Sequence, residues 1–244
     1  VVLGDLTLRD ATLTIAPGVD VLFAENAGLQ IGDWWCPYGC VNSWGSLQAV
    51  GKPDSLIVFS SLSGQTDGWD GIYFHYNSDW TGATSTMEYC VVEKAGQTGW
   101  GVKAGLYCHQ TNQPSIANCV FRDVAGGAGL RLSSASLSIT ESDFVNDSIG
   151  ILSVASSPMI QGCFFDGGGS YTGVRCEGSS PIISSSVFQG STQYSVYFDQ
   201  SSVPNLAGNT YSTSGYGIAL AGGVYSSVSV NWRNENDEPY EVLG

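Results

Sequence analysis

The 244-residue chain is strongly acidic, with 8 Lys and Arg against 22 Asp and Glu for a formal net charge of −14. That balance argues against nucleic acid, which needs clustered basic residues, and against an anionic membrane surface. Hydrophobic residues make up 43% of the chain and charged residues 12%, and no apolar run is long enough to span a bilayer as a helix, so a well-filled core is expected and membrane insertion is not.

The chain opens directly in strand-like sequence, Val1-Val2-Leu3-Gly4-Asp5-Leu6-Thr7-Leu8, with no basic-then-apolar leader. This reads as a processed mature protein or a piece of a longer one. Few lysines and many Gly, Ser and Thr point to an extracellular or cell-surface setting. An insertion at about 32–44 carries Cys36-Pro37-Tyr38-Gly39-Cys40, where a local Cys36–Cys40 disulfide is expected in an oxidising compartment. Zinc would need two further ligands there, and no histidine lies nearby. Trp34, Trp35, Trp44, Trp69, Trp80 and Trp100 all fall in the first hundred residues, most of them in or beside insertions. They read either as side chains packed inside those loops or, with Tyr38, as a platform for carbohydrate or protein.

From Gly71 onward a pattern returns about every 22 residues. Its first half is Gly-apolar-x-apolar, starting at 71, 105, 129, 150, 173, 195 (with Ser for Gly) and 217. Its second half is apolar-x-x-small-x-large, as in Ile116/Cys119/Phe121, Ile139/Ser142/Phe144, Ile160/Cys163/Phe165 and Ile183/Ser186/Phe188. Two short strands per turn at a fixed period predict a solenoid, since a unit so short buries an apolar face only by stacking on its neighbours. Ser-rich clusters such as Ser156-Ser157-Pro158 and Ser179-Ser180-Pro181 supply the corners.

Period-2 alternation assigns the faces. Ile72/Phe74, Leu106/Cys108, Leu130/Leu132, Val174/Cys176, Val196/Phe198 and Ile218/Leu220 point inward, because the alternate set contains Arg131 and Arg175, and arginine does not sit unpaired in an apolar core. Cys90, Cys108, Cys119, Cys163 and Cys176 occupy inward slots and read as small packing residues. The outward set is Tyr73 with His75, Tyr107 with His109, Arg131, Arg175 with Glu177, and Tyr197 with Asp199. This stripe is the candidate ligand face. Its aromatic, imidazole, guanidinium and carboxylate groups suit proton abstraction from an acidic sugar, stacking on sugar rings, or simple coverage of the sheet.

Several segments together resemble the bacterial secreted right-handed parallel β-helix repeat proteins, whose architecture is that of pectate lyases. They are Gly4–Leu8, Ala11–Phe23, Gly45–Gly51, Leu56–Ser61 and Gly68–Phe74, followed by the coils above. The resemblance implies an all-β, right-handed parallel β-helix over 1–244 as one domain, secretion, and often a place in a long multi-domain surface protein. It also implies a packing role for Trp69 in the Gly-Trp motif. It implies no reaction, because this superfold hosts lyases, hydrolases, adhesins and inert stalks. No catalytic motif of a polysaccharide lyase matches residue by residue, and no phosphate loop, calcium nonapeptide or other cofactor motif is present, so no cofactor or metal is expected.

The ends carry one further expectation. Neither shows an amphipathic capping helix, and segment 232–244 resembles a joint leading into a strand like the first. Leu3, Leu6 and Leu8 are therefore expected to meet Trp232, Tyr240, Val242 and Leu243 of a second copy or of an adjoining module, head to tail. The favoured reading is a non-catalytic extracellular structural or adhesive module in a filament or stalk. The rival is a carbohydrate-active enzyme or polysaccharide-binding module on the Tyr/His/Arg face.

Overall fold

The computed structural model describes residues 1–32, 43–64, 68–96, 101–124, 126–167, 171–191, 193–212, 216–223 and 240–243. Among these, the strands form three parallel sheets of ten, eight and eight members, and the only helix is a single 3-10 turn at Trp80–Gly82. Each coil gives one strand to each sheet in turn. Ala128–Ser133 lies in the first sheet, Ser138–Thr140 in the second and Asp143–Val145 in the third, and Ile149–Val154 returns to the first one coil further on.

The expected two strands per turn are thus three. The second half of the repeat is two strands with a corner between them, made by one residue in the left-handed region: Asn118 (φ 53°), Glu141 (φ 46°) and Ser185 (φ 51°) on three of the coils. That residue breaks the period-2 alternation, so Ile139 and Ser142, three apart, both face inward. It does not break the ladder: Asn118, Glu141 and Ser185 donate their N–H groups to Thr140, Gln161 and Ala207 of the next coil at 3.0–3.1 Å. Continuous pairing across a bend is why the segment reads as one strand in sequence.

Register holds along the whole first sheet. Leu6, Leu29, Ile72, Leu106, Leu130, Ile151, Val174, Val196, Ile218 and Tyr240 are successive partners. The assigned inward residues of this sheet are 0–2% exposed. Inside the third sheet Phe121, Phe144, Phe165, Phe188 and Tyr211 stack in file, with ring centroids 4.6–5.3 Å apart and planes within 12° of parallel. That spacing is the interstrand distance itself, so the sheet sets the stack.

The small inward residues do more than fill space. A buried corner N–H must find an acceptor, and here the next coil supplies it. Cys119 N donates to Ser142 Oγ (3.1 Å), Cys163 N to Ser186 Oγ (3.1 Å) and Ser186 N to Asn209 Oδ1 (3.0 Å). A second corner repeats the arrangement with Ala135 N to Ser156 Oγ, Ser156 N to Ser179 Oγ and Ser179 N to Ser202 Oγ at 2.9–3.0 Å. At the third corner Asp147 does the same work, its Oδ1 accepting from Val124 N at 2.9 Å. Cys90, Cys108, Cys119, Cys163 and Cys176 are buried and unbridged.

Of the three N-terminal leucines expected at the joint, Leu3 lies apart from Leu6 and Leu8. Val2, bridged to Phe23, adds the first rung to the third sheet, which leaves Leu3 78% exposed on the outer side. Leu6 is half-buried and Leu8 buried, both in the first sheet. At the other end Tyr240–Leu243 is the tenth strand of that sheet, and Val242, opposite Leu220 in the inward row, is 59% exposed. Cys36, Cys40 and Trp232 lie outside the described residues, as do Trp34, Trp35, Tyr38 and Trp100.

Adjacent phenylalanines test the register with one chemistry. Phe164 faces out half-buried and Phe165 is fully buried in the stack. Phe165→Ala is expected to cost about 3–5 kcal/mol, the range for truncating a buried aromatic side chain, and Phe164→Ala about 1 kcal/mol or less. Equilibrium urea unfolding of the two variants measures the difference.

Candidate functional site

The outer row of the first sheet runs Gln30, Tyr73, Tyr107, Arg131, Leu152, Arg175, Tyr197, so strand pairing alone brings the predicted stripe together. Leu152 divides it in two. In the upper part Tyr73 stacks on Tyr107 (4.7 Å between centroids) and on His75 (3.9 Å), and the Arg131 guanidinium carbon stands 5.6 Å from the Tyr107 ring centre. Tyr73 and His75 are not the open platform the alternation predicts: they are 8% and 2% exposed, and His75 Nε2 is bonded to Gln30 Oε1 at 3.1 Å. Burial, and then the neighbouring Tyr107, push the Tyr73 phenol well above its usual range. His109 stands 3.3 Å from the Tyr107 hydroxyl through Nδ1, and burial lowers its pKa, favouring neutral imidazole.

In the lower part the carboxylates are engaged. Arg175 Nε donates to Glu177 Oε1 at 2.8 Å, and the Arg175 guanidinium lies 5.2 Å from the Tyr197 ring centre. Asp199 accepts from the backbone N–H groups of Gly178 and Ser201 and from the Ser202 hydroxyl. It is a corner residue, tying one coil to the next. Both carboxylates of the stripe are thus held by their own neighbours.

A second polar cluster, which the repeat pattern does not flag, lies on the outer face of the third sheet. Glu93 accepts from Ser60 Oγ at 2.7 Å and from Arg122 Nε at 2.8 Å, and Lys94 Nζ stands 3.4 Å away. Burial works to raise Glu93, and the donors of Ser60, Arg122 and Lys94 outweigh it, holding the carboxyl below its usual range. Asp147 is the opposite case: burial raises it well above the carboxylate range despite the bond from Val124 N. Among the described residues no group of three or more His, Cys, Asp or Glu side chains is placed to hold a metal ion.

The model of the right-handed β-helix region matches residues 104–236. The chain belongs to the right-handed β-helix family. No curated protein matches it. The β-helix coils before residue 104 extend the same three sheets without a break in register. Of the tryptophans, Trp69 is fully buried, stacked 4.3 Å from Phe23 with Nε1 donating to Glu93 O, in keeping with a packing role, whereas Trp80 is 54% exposed.

A groove of about 380 Å³ lies elsewhere, on the outer face of the second sheet, lined by Thr12, Trp44, Ser46, Gln48 and the Thr81–Thr84 segment. Only Trp44 was visible beforehand. The signal for the rest is the run of neutral polar residues at outward positions, Thr12/Thr14 and Ser46/Gln48, brought into line by the pairing of Thr12 with Ser46 and Thr14 with Gln48.

The two perturbed carboxyls carry opposite pH signatures. Glu93, lowered in the folded state, stabilises above the ordinary glutamate pKa and loses that contribution as pH falls through its folded value. Asp147, raised in the folded state, costs stability as pH rises past the ordinary aspartate pKa. In thermal melts, Glu93→Gln is expected to be destabilised at neutral pH with the deficit closing in acid. Asp147→Asn is expected to gain on the parent chain as pH rises from acid to neutral.

Proposed function

We propose that the β-helix is a non-catalytic structural module of the cell exterior, extended end to end by copies of itself or by sister modules into a stalk or filament. The observation that carries the reading is Val242. It sits in register with Leu220 on the inward row of the first sheet, yet it is 59% exposed. A core position open to solvent at the end of a ladder accepts one more coil, whether from the same polypeptide or from a second copy. At the opposite end Leu6, Leu13 and Val21 are only partly buried against the core and offer the complementary surface. Each leucine covered contributes about 1.5–3 kcal/mol before the entropy of association is subtracted.

The stripe supports the non-catalytic part. Glu177 is paired with Arg175, Asp199 is used in a corner, and Tyr73 and His75 are buried. The excess of acidic residues and the scarcity of lysine favour the exterior setting.

Sedimentation velocity over a range of concentrations, with electron microscopy of the same samples, tests assembly. End-to-end oligomers are expected to grow with concentration and with salt, and Val242→Asp is expected to leave monomers with an unchanged melting temperature. A chain that stays monomeric at every concentration overturns self-assembly. Release of unsaturated or reducing ends from a panel of uronate polymers overturns the non-catalytic reading.

A further inference from the structure

The groove on the second sheet has a lining of neutral polar groups beside one aromatic ring. Its walls carry the hydroxyls of Thr12, Ser46, Thr81 and Thr84, the carboxamide of Gln48 and the half-buried ring of Trp44, and among the described residues no charged side chain lines it. The neutrality recurs along the outer row of the same sheet, in Ser138/Thr140, Met159/Gln161 and Ile182/Ser184, but Trp44 and the Thr81–Thr84 wall stand only here. Its volume, about 380 Å³, falls within the range of small-ligand sites.

The polar groups are held in place before any ligand arrives. Gln48 Nε2 donates to Thr84 O (2.7 Å) and to Ser46 Oγ (3.2 Å), while Ser46 Oγ itself donates to Thr84 O. Both amide protons are thereby used within the protein, which leaves Gln48 Oε1 as a fixed acceptor. These bonds also tie the Thr81–Thr84 wall to the sheet, so the groove's width is set by the fold. Thr81 adopts φ 70° in that wall, a conformation costly for a β-branched residue and of the kind that collects at ligand sites.

We propose that this groove binds a neutral oligosaccharide. An aromatic face beside an array of neutral donors and acceptors matches a sugar ring, which presents an apolar C–H face and a rim of hydroxyls. An anionic glycan would find no cation in the lining and a repulsive field around it, and a cationic ligand would find no carboxylate. Pre-set hydrogen-bonding partners lower the ordering cost of binding. The site is independent of the Tyr/His/Arg stripe, which lies on a different sheet, and of whether the module assembles.

Isothermal titration calorimetry of the intact chain with cellohexaose, xylohexaose, mannohexaose, maltohexaose and hexagalacturonate tests this. At least one neutral sugar is expected to bind and hexagalacturonate is not. Gln48→Ala and Trp44→Ala are each expected to weaken binding about tenfold or more, the equivalent of one lost contact of about 1.4 kcal/mol. Thr12→Lys, on an exposed rim position, is expected to weaken it without touching the core, so a misfolded Trp44 variant would not leave the matter open. Tyr107→Ala, in the stripe, is expected to change nothing. The proposal is overturned if no neutral sugar binds, if hexagalacturonate binds instead, or if Tyr107→Ala abolishes binding while Gln48→Ala and Thr12→Lys do not.

Discussion

Among the described residues the coils of this β-helix turn through corners between their three sheets, and a buried N–H at a corner has no strand partner of its own. The rest of the structure depends on how those donors are satisfied. Ser142, Ser186 and Asn209 on one edge, Ser156, Ser179 and Ser202 on another, and Asp147 on the third each reach back one coil to accept the waiting proton. An unsatisfied buried donor costs about 1–3 kcal/mol, so these bonds decide the register of coil on coil as firmly as the apolar rows do. Once the corners are in register, the aromatic file of the third sheet and the leucine-rich rows of the first follow from strand spacing alone.

A body so regular leaves function to what departs from the repeat. The first sheet's outer row spends its charged groups on itself, in the Arg175–Glu177 pair and the Asp199 corner. The third sheet's outer face does likewise around Glu93. The second sheet near the N-terminal end is different, because the segment from Thr81 to Thr84 stands beside it and forms one wall of an open groove. Insertion at a corner is how a solenoid acquires a site without disturbing its core, since loops tolerate length changes that strands do not.

Much of this was legible in the amino-acid sequence. Alternation of Leu130, Arg131 and Leu132 names the inward face directly, and the spacing of Ile139, Ser142 and Phe144 announces a coil. What period-2 reasoning could not see is the left-handed residue at Glu141, which turns one apparent strand into two and changes the small slots from fillers into hydrogen-bonding groups. Nor does any local pattern report that Tyr73 and His75 are covered, because their burial depends on tertiary surroundings and not on their own strand. The groove was hidden for a similar reason. Ser46 and Gln48 meet Thr84 only after a full coil has been laid between them.

The buried corner bonds share one direction. In the buried ones the donor belongs to the earlier coil and the side-chain acceptor to the later one, at all three edges, while exposed corner bonds such as Ser157 N to Ser136 Oγ and Val203 N to Ser180 Oγ run the other way. Chain polarity is thus written into the cross-links and not only into the strands. A coil emerging during synthesis leaves its corner protons open until its successor arrives, so completion travels from the N-terminus toward the C-terminus like a zip. Loss of a late coil would be felt one step upstream, as newly orphaned buried donors, while loss of an early coil would leave the buried corner donors of those that remain still satisfied.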